Sequence, residues 1–339
     1  MVKSFLLRKM RKDYVDIAKG LGIISIMLLH YEDGVFSPSI NNWIGCFMVA
    51  IFYFVSGYLS SGRALDDWKV WFNKRKYQLI IPYVWFSILI VVFDCILCMF
   101  DLIPGKIVLR DIYKTFTLRG IGTLWFLPAI FFGEAIARCF INGAMWKKSV
   151  ILAVSVIYSG LYCKWDAAYG NLNEIYQIID APFKTLHSVS GSWWIIVSGF
   201  MIGKYFQKEI EDADLRCRLV ITLSILGVYT AIICGIGSGG VLIPVIGSLG
   251  ILMLSTLIEK TPASRIWQYF GRNSLIIMAT HYSVLQVACE LINKHYTGSV
   301  CLGGGAALYW FAGSLILEIP LIWFINRFLP FLIGKKSEK

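Results

Sequence analysis

Residues 15–32 read Val15-Asp16-Ile17-Ala18-Lys19-Gly20-Leu21-Gly22-Ile23-Ile24-Ser25-Ile26-Met27-Leu28-Leu29-His30-Tyr31-Glu32. Crossing a bilayer takes about 20 mostly apolar residues, and this stretch supplies nearly that number. Basic residues precede it (Lys3, Arg8, Lys9, Arg11 and Lys12), as in a secretory leader. No small-residue cleavage motif follows, so the stretch is expected to persist as a first membrane helix. Its polar residues have helical spacing. Lys19 and His30 are eleven residues apart, which at about 100° per residue is about 1,100°, close to three full turns. They therefore share one face, roughly 16 Å apart along the axis. Asp16 lies three residues before Lys19 and can pair with it on that face.

The rest of the chain has the same character. Of 339 residues, 57% are hydrophobic and only 16% charged, against about 25% charged in a soluble domain. Ten candidate spans are centred roughly on 15–32, 42–61, 78–99, 121–140, 149–164, 190–206, 217–235, 240–258, 273–292 and 304–326, of which the fifth and sixth are short against the required length. Lys and Arg alternate in density between the two sets of connecting segments, 24 on one side and 7 on the other, with Lys19 inside the first span. The basic side is expected to be cytoplasmic, so both termini face the cytoplasm. The net charge of +11 is spread over short cytoplasmic segments, which argues against nucleic acid as a partner. The nine Cys are scattered through apolar runs. Cys95 and Cys98 read as packing residues, and Cys163 and Cys301 as the one pair placed for a disulfide. The longer outside connections are expected at 100–120 and 165–189. The second is rich in Trp, Tyr, Asn and acidic residues, suited either to a solvated connector or to a polar acceptor such as a sugar.

A charge in the bilayer core costs several kcal/mol, so residues such as Asp16, Lys19, His30, Asp94, Glu134, His281, Glu290 and Glu318 are expected to face the bundle interior and to mark function. His281, near the middle of the ninth span, needs a partner or water, with Glu134 and Glu318 as candidates. Lys74-Arg75-Lys76, ahead of Gln78 and Pro82, reads either as a positive-inside anchor or as a phosphate site, since a guanidinium binds phosphate with a planar fork of donors. Trp125, near an outer helix end, suits the aromatic belt or a sugar face. No metal is expected.

Five segments together resemble a known family. They are Asp16-Ile17-Ala18-Lys19-Gly20 continuing to His30; Phe52 to Tyr58; Lys74-Arg75 through Leu79-Ile80-Ile81-Pro82-Tyr83; Leu124-Trp125-Phe126-Leu127-Pro128; and Gly271-Arg272-Asn273-Ser274-Leu275 with His281. In this order they are similar to the acyltransferase family 3 membrane proteins, in the style of the fucose 4-O-acetylase-like acetyltransferase branch. The resemblance implies a ten-helix O-acetyltransferase. It takes an acyl group from cytoplasmic acyl-CoA, acetyl-CoA by preference, and places it on a carbohydrate or glycolipid hydroxyl at the outer face. It also implies that His30 is catalytic and that Lys19 helps to hold the donor. One departure is visible: many members have Arg-x-x-Arg before the proline of the third helix, whereas here Arg75 is followed three residues later by Gln78, which leaves open how the donor phosphates are bound, with Lys74 or Lys76 as candidates to compensate.

The expectation is thus an all-α, polytopic membrane bundle of about ten transmembrane helices in a bacterial inner or plasma membrane. It is one acyltransferase-3-like domain over 1–339, with cytoplasmic tails at 1–13 and 328–339. His30 serves as general base or acyl carrier; Asp16, Lys19, Lys74 and Arg75 hold the donor; Trp125, Glu134 and His281 face the acceptor. The competing reading is a transporter or flippase for a lipid-linked sugar, because midplane charges fit it as well.

Overall fold

The computed structural model describes residues 12–31, 35–61, 67–170, 174–237, 240–297 and 307–335. Among these there is no strand. The helices, in chain order, are α1 (Asp13–Tyr31), α2 (Pro38–Met48), α3 (Ala50–Ser60), α4 (Trp68–Arg75), α5 (Ile81–Met99), α6 (Gly105–Phe116), α7 (Phe126–Asn142), α8 (Met145–Tyr169), α9 (Glu174–Asp212), α10 (Leu215–Ile236), α11 (Ile243–Ile258), α12 (Ser264–Arg272), α13 (Ser274–Thr280), α14 (Val287–Thr297) and α15 (Ala307–Phe328). Two π-helical turns, Lys76–Ile80 and His281–Gln286, join α4 to α5 and α13 to α14. Short 3₁₀ turns lie at Gly122–Trp125 and Pro330–Ile333.

Among the described residues, each apolar segment expected from the sequence is largely helical. Eight helical paths among the described residues are long and apolar enough to cross a membrane, including Trp68–Met99 with 32 residues and Met145–Tyr169 with 25. The segment at 240–258 yields a shorter apolar helix, Ile243–Ile258. That at 190–206 lies inside the 39-residue α9. The two outer connections depart from expectation. Residues 100–120 contain the twelve-residue helix α6, and residues 165–189 are mostly the end of α8 and the start of α9. Helix also persists through Pro182. A proline there leaves the Ile178 carbonyl without its usual donor, and the Tyr113 hydroxyl donates to that carbonyl at 2.8 Å.

Helix starts follow local chemistry. Pro38 opens α2 behind Ser37, and Asp214 caps α10 by accepting from the Cys217 N–H at 2.8 Å, as expected for proline at the first turn and a carboxylate at the N-cap. The first π turn also has a local cause. Pro82 has no N–H to offer the Gln78 carbonyl. The hydrogen-bond ladder shifts, and the Ile81 N–H reaches the Lys76 carbonyl, five residues back.

The chain groups into two compact units, each assembled from separate stretches: Met1–Ser61, Ser198–Ile277 and Gly303–Phe311 in the first, and Gly62–Val197, Met278–Leu302 and Ala312–Lys339 in the second. In the first, α1 is the central helix and packs on α2, α3, α11 and α12. Its contact with α12 is backbone to backbone. A Cβ on Gly20 would collide with the Trp267 carbonyl, and one on Gly271 with the Asp16 carbonyl. Small residues allow such close approach within a membrane bundle. In the second unit, α5 packs on α6 and the first π turn, and α7 on α8 and the same π turn. The 3₁₀ turn Gly122–Trp125 lies against the second π turn, where a Cβ on Gly122 would strike the Ser283 side chain.

Candidate active site

In the first unit, the unbroken α1 carries Asp16, Lys19 and His30. Asp16 is 3% exposed. One carboxylate oxygen meets Lys19 Nζ at 2.9 Å and the other meets Arg272 Nε at 3.1 Å. Arg272 also reaches Asp13 Oδ1 and Gln268 Oε1, each at 2.9 Å. The glycine contact between α1 and α12 brings the two helices close enough for this bridge. A buried carboxylate between two cations offsets its desolvation by direct pairing, and it fixes the positions of both cationic heads. His30 stands half-buried in the last turn of the same helix. Glu32 and Asp33, which follow it, lie outside the described residues. Arg272 belongs to a segment that the sequence singles out, yet its pairing with a carboxylate 256 residues away has no local signal.

A second network starts at the entrance to α1. The Tyr14 and Tyr58 hydroxyls are 2.9 Å apart, and Tyr14 donates to Glu211 Oε1 at 3.0 Å. Lys12 Nζ lies 2.7 Å from the same oxygen. These contacts tie α1 and α3 to the end of α9.

In the second unit, Arg75 is anchored by Glu134 rather than standing alone at a helix mouth. Arg75 Nε lies 2.6 Å from Glu134 Oε2, and Arg75 Nη1 donates to Gln78 Oε1 at 2.8 Å. The Trp71 indole N–H donates to Glu134 Oε2 at 3.2 Å, with its ring stacked on Phe131 at 5.4 Å. Gln78, the departure from Arg-x-x-Arg, is thus the acceptor that orients one nitrogen of Arg75. Glu134 sits with Arg75, which the sequence assigns to the donor. Lys74 is exposed.

His281 is fully buried and opens the second π turn. Its neighbour Thr280 donates to both oxygens of the buried Glu318, at 2.9 and 3.1 Å. The Thr123 hydroxyl donates to the Met278 carbonyl; insertion of a side chain into the ladder is a recognised cause of helix distortion. This bond and the Gly122 contact seat the turn carrying Trp125 against the π turn carrying His281. Trp125 is half-buried, with the Arg119 guanidinium 6.0 Å from its ring. Residues Leu118 and Gly120, on either side of Arg119, both have left-handed backbone conformations (φ 57° and 71°). Such strain in a non-glycine residue persists where surrounding structure holds it, commonly at functional sites. π turns are likewise frequent there; here they occur beside Arg75 and at His281.

Among the described residues no group of His, Cys, Asp and Glu is arranged to hold a metal ion. Cys95, Cys98 and Cys163 are free thiols, and Cys301 lies outside the described residues.

The apolar helices and the polar networks they carry define a multi-pass membrane protein with cations anchored by carboxylates. A family model described as an acyltransferase domain, that of acyltransferase family 3, matches residues 12–334. The chain belongs to this family and is a membrane acyltransferase. Neither curated proteins nor solved structures give a match.

Proposed function

We propose that this acyltransferase moves an acetyl group from cytoplasmic acetyl-CoA to a hydroxyl of a carbohydrate on the far side of a bacterial cell membrane, through about ten spans with both termini cytoplasmic. The observation that carries this reading is the polar stripe of α1: a buried Asp16 fixing Lys19 and Arg272 at one end, and His30 about three turns further along. The anchored cations suit the donor's phosphates. An extended pantetheine arm can cover the roughly 16 Å from Lys19 to His30. For Arg75 a donor-phosphate role is what the family resemblance implies, and its guanidinium is oriented by Glu134 and Gln78, as charge-assisted bonds to phosphate require. In this reading Glu134 is a positioning residue for Arg75, and Trp125 and His281 belong to the acceptor side.

The chemistry follows from the groups. The acceptor hydroxyl attacks the thioester carbonyl while the His30 imidazole takes its proton, a role suited to a side chain that titrates near neutrality. Collapse of the tetrahedral intermediate expels the thiolate, which takes the proton back from the imidazolium. The products are an ester and free CoA. No net proton is consumed, and His30 ends as it began.

The test is release of CoA thiol by purified protein given acetyl-CoA and cell-envelope glycans. His30→Ala is expected to lower this by about 100-fold or more without changing thermal unfolding; wild-type turnover in that variant refutes the assignment. Mixing with acetyl-CoA alone, followed by rapid quenching, distinguishes direct transfer from a covalent acyl-histidine.

A further inference from the structure

The second unit holds a polar cluster that no step above uses. It is built from the loop before the Gly122–Trp125 turn, from α8 and from the start of α9. Asp180 is 4% exposed. Its Oδ2 accepts from the Tyr162 hydroxyl at 3.1 Å, while its Oδ1 has no partner among the described residues. The His187 ring stacks on Tyr162 with centroids 4.4 Å apart and planes 22° from parallel, and its buried Nδ1 likewise lacks a partner among the described residues. Arg119, beside Trp125, is close enough for its charge to interact with Asp180 and Tyr162.

Hydrogen bonds from neighbouring helices hold the backbone around Asp180. Tyr113 donates to the Ile178 carbonyl freed by Pro182, and Tyr158 to the Phe183 carbonyl at 2.8 Å. Side chains from α6 and α8 thereby clamp α9 on both sides of Asp180. Leaving buried polar atoms unpaired costs free energy. A ligand that supplies the missing bonds recovers that cost.

The ligand's chemistry can be narrowed. A carboxylate oxygen asks for a donor. Around His187 the carboxylates Asp166 and Asp180 are set against the cations Lys184 and Arg119, so the surrounding charges nearly balance and favour neither an incoming cation nor an anion. Hydroxyl groups carry no charge, donate to Asp180, and either donate to or accept from His187, whichever tautomer it adopts. The stacked aromatic side chains suit the apolar face of a ring. We propose that Asp180 and His187, framed by Tyr162 and Arg119, form a binding subsite for a neutral hydroxyl-bearing ring, a sugar unit of the acceptor. This rests on the carbohydrate-acceptor reading above.

The test uses the full chain in detergent carrying His30→Ala, so that binding is read without turnover. It is applied to a printed panel of neutral and acidic glycans, with inorganic phosphate and tetramethylammonium as competitors. Capture of at least one neutral glycan is expected. Adding Asp180→Asn, which keeps an oxygen for Tyr162, should weaken capture roughly tenfold or more, as for loss of a hydrogen bond to a charged group. Neither competitor should displace the glycan. In the otherwise unmodified enzyme, Asp180→Asn should raise KM for the glycan while leaving KM for acetyl-CoA unchanged. The proposal fails if no neutral glycan is captured, if a folded Asp180→Asn protein binds like its parent, or if either competitor displaces the glycan. Capture without CoA release from the active enzyme defeats the acyltransfer reading alone. CoA release with an unaltered glycan KM in Asp180→Asn defeats the subsite alone.

Discussion

Asp16 and Arg272, 256 residues apart in sequence, are joined at 3.1 Å across a close backbone contact between two helices of the first unit. The same carboxylate holds Lys19 at 2.9 Å. One buried anion therefore fixes two cations that would otherwise repel one another. The glycines at 20 and 271 make the contact possible.

Asp16→Asn removes the charge and keeps the shape. Lys19 and Arg272 then lose their common counter-ion, and donor affinity should fall: KM for acetyl-CoA is expected to rise about tenfold, with a stability loss of about 1 to 3 kcal/mol for hydrogen bonds to a charged group. The lower end is expected, because Arg272 is 40% exposed and solvent screens its pair. Initial rates against acetyl-CoA and thermal unfolding in detergent check both.

Gly271→Ala places a methyl group against the Asp16 carbonyl, and Gly20→Ala one against that of Trp267. Backbone cannot yield as a side-chain tip does, so each should cost about 1 to 3 kcal/mol by overpacking. Because both act on one seam, the double variant should lose less than the sum. Unfolding midpoints of the two single variants and the double variant decide this.

Glu134→Gln leaves an amide where Arg75 Nε and the Trp71 indole now meet a carboxylate. If Glu134 serves the donor side, KM for acetyl-CoA should rise about tenfold while KM for the glycan stays fixed, the reverse of the Asp180→Asn pattern. A rise confined to the glycan KM would return Glu134 to the acceptor side.

Glu259, just after α11, has its carboxyl pushed above the ordinary carboxylate range, first by burial and then by nearby Asp13, partly offset by the Tyr14 N–H, Arg218 and Lys260. The folded state thus binds its proton more tightly than the unfolded chain does. The resulting penalty on folding is absent below the unfolded pKa and fully present once pH exceeds the folded one. Glu259→Gln, which keeps an acceptor for the Tyr14 N–H, should therefore raise the unfolding temperature at neutral pH. The gain should vanish in acid, and a gain independent of pH contradicts this account.

Much of the candidate site is legible in the chain because it is local. Three-residue and eleven-residue spacings on one continuous helix place Asp16, Lys19 and His30 on a common face. The run before Pro82 announces an altered helix, since proline lacks the donor that Gln78 needs. Arg272, Glu134 and Asp180 are less legible. The partner of each comes from another helix or another part of the chain. The outer connections misled for a related reason. Their polar residues suggest loops, yet α6 and α9 use those residues on helix faces, with Tyr113 supplying the bond that Pro182 removes.

The sequence by itself determined that this protein lies in a membrane as a set of helices, because burial of about 20 apolar residues is decided segment by segment and needs no knowledge of neighbours. It also determined the polar stripe of α1, because helical periodicity is fixed by backbone geometry. Only the tertiary structure decided that Asp16 binds Arg272, that Glu134 belongs to Arg75, and that Asp180 keeps one oxygen without a partner among the described residues, beside Tyr162 and His187. These depend on how far each helix is rotated about its axis when it packs. Packing sets that rotation through contacts such as Gly20 on Trp267, between residues that no local pattern links.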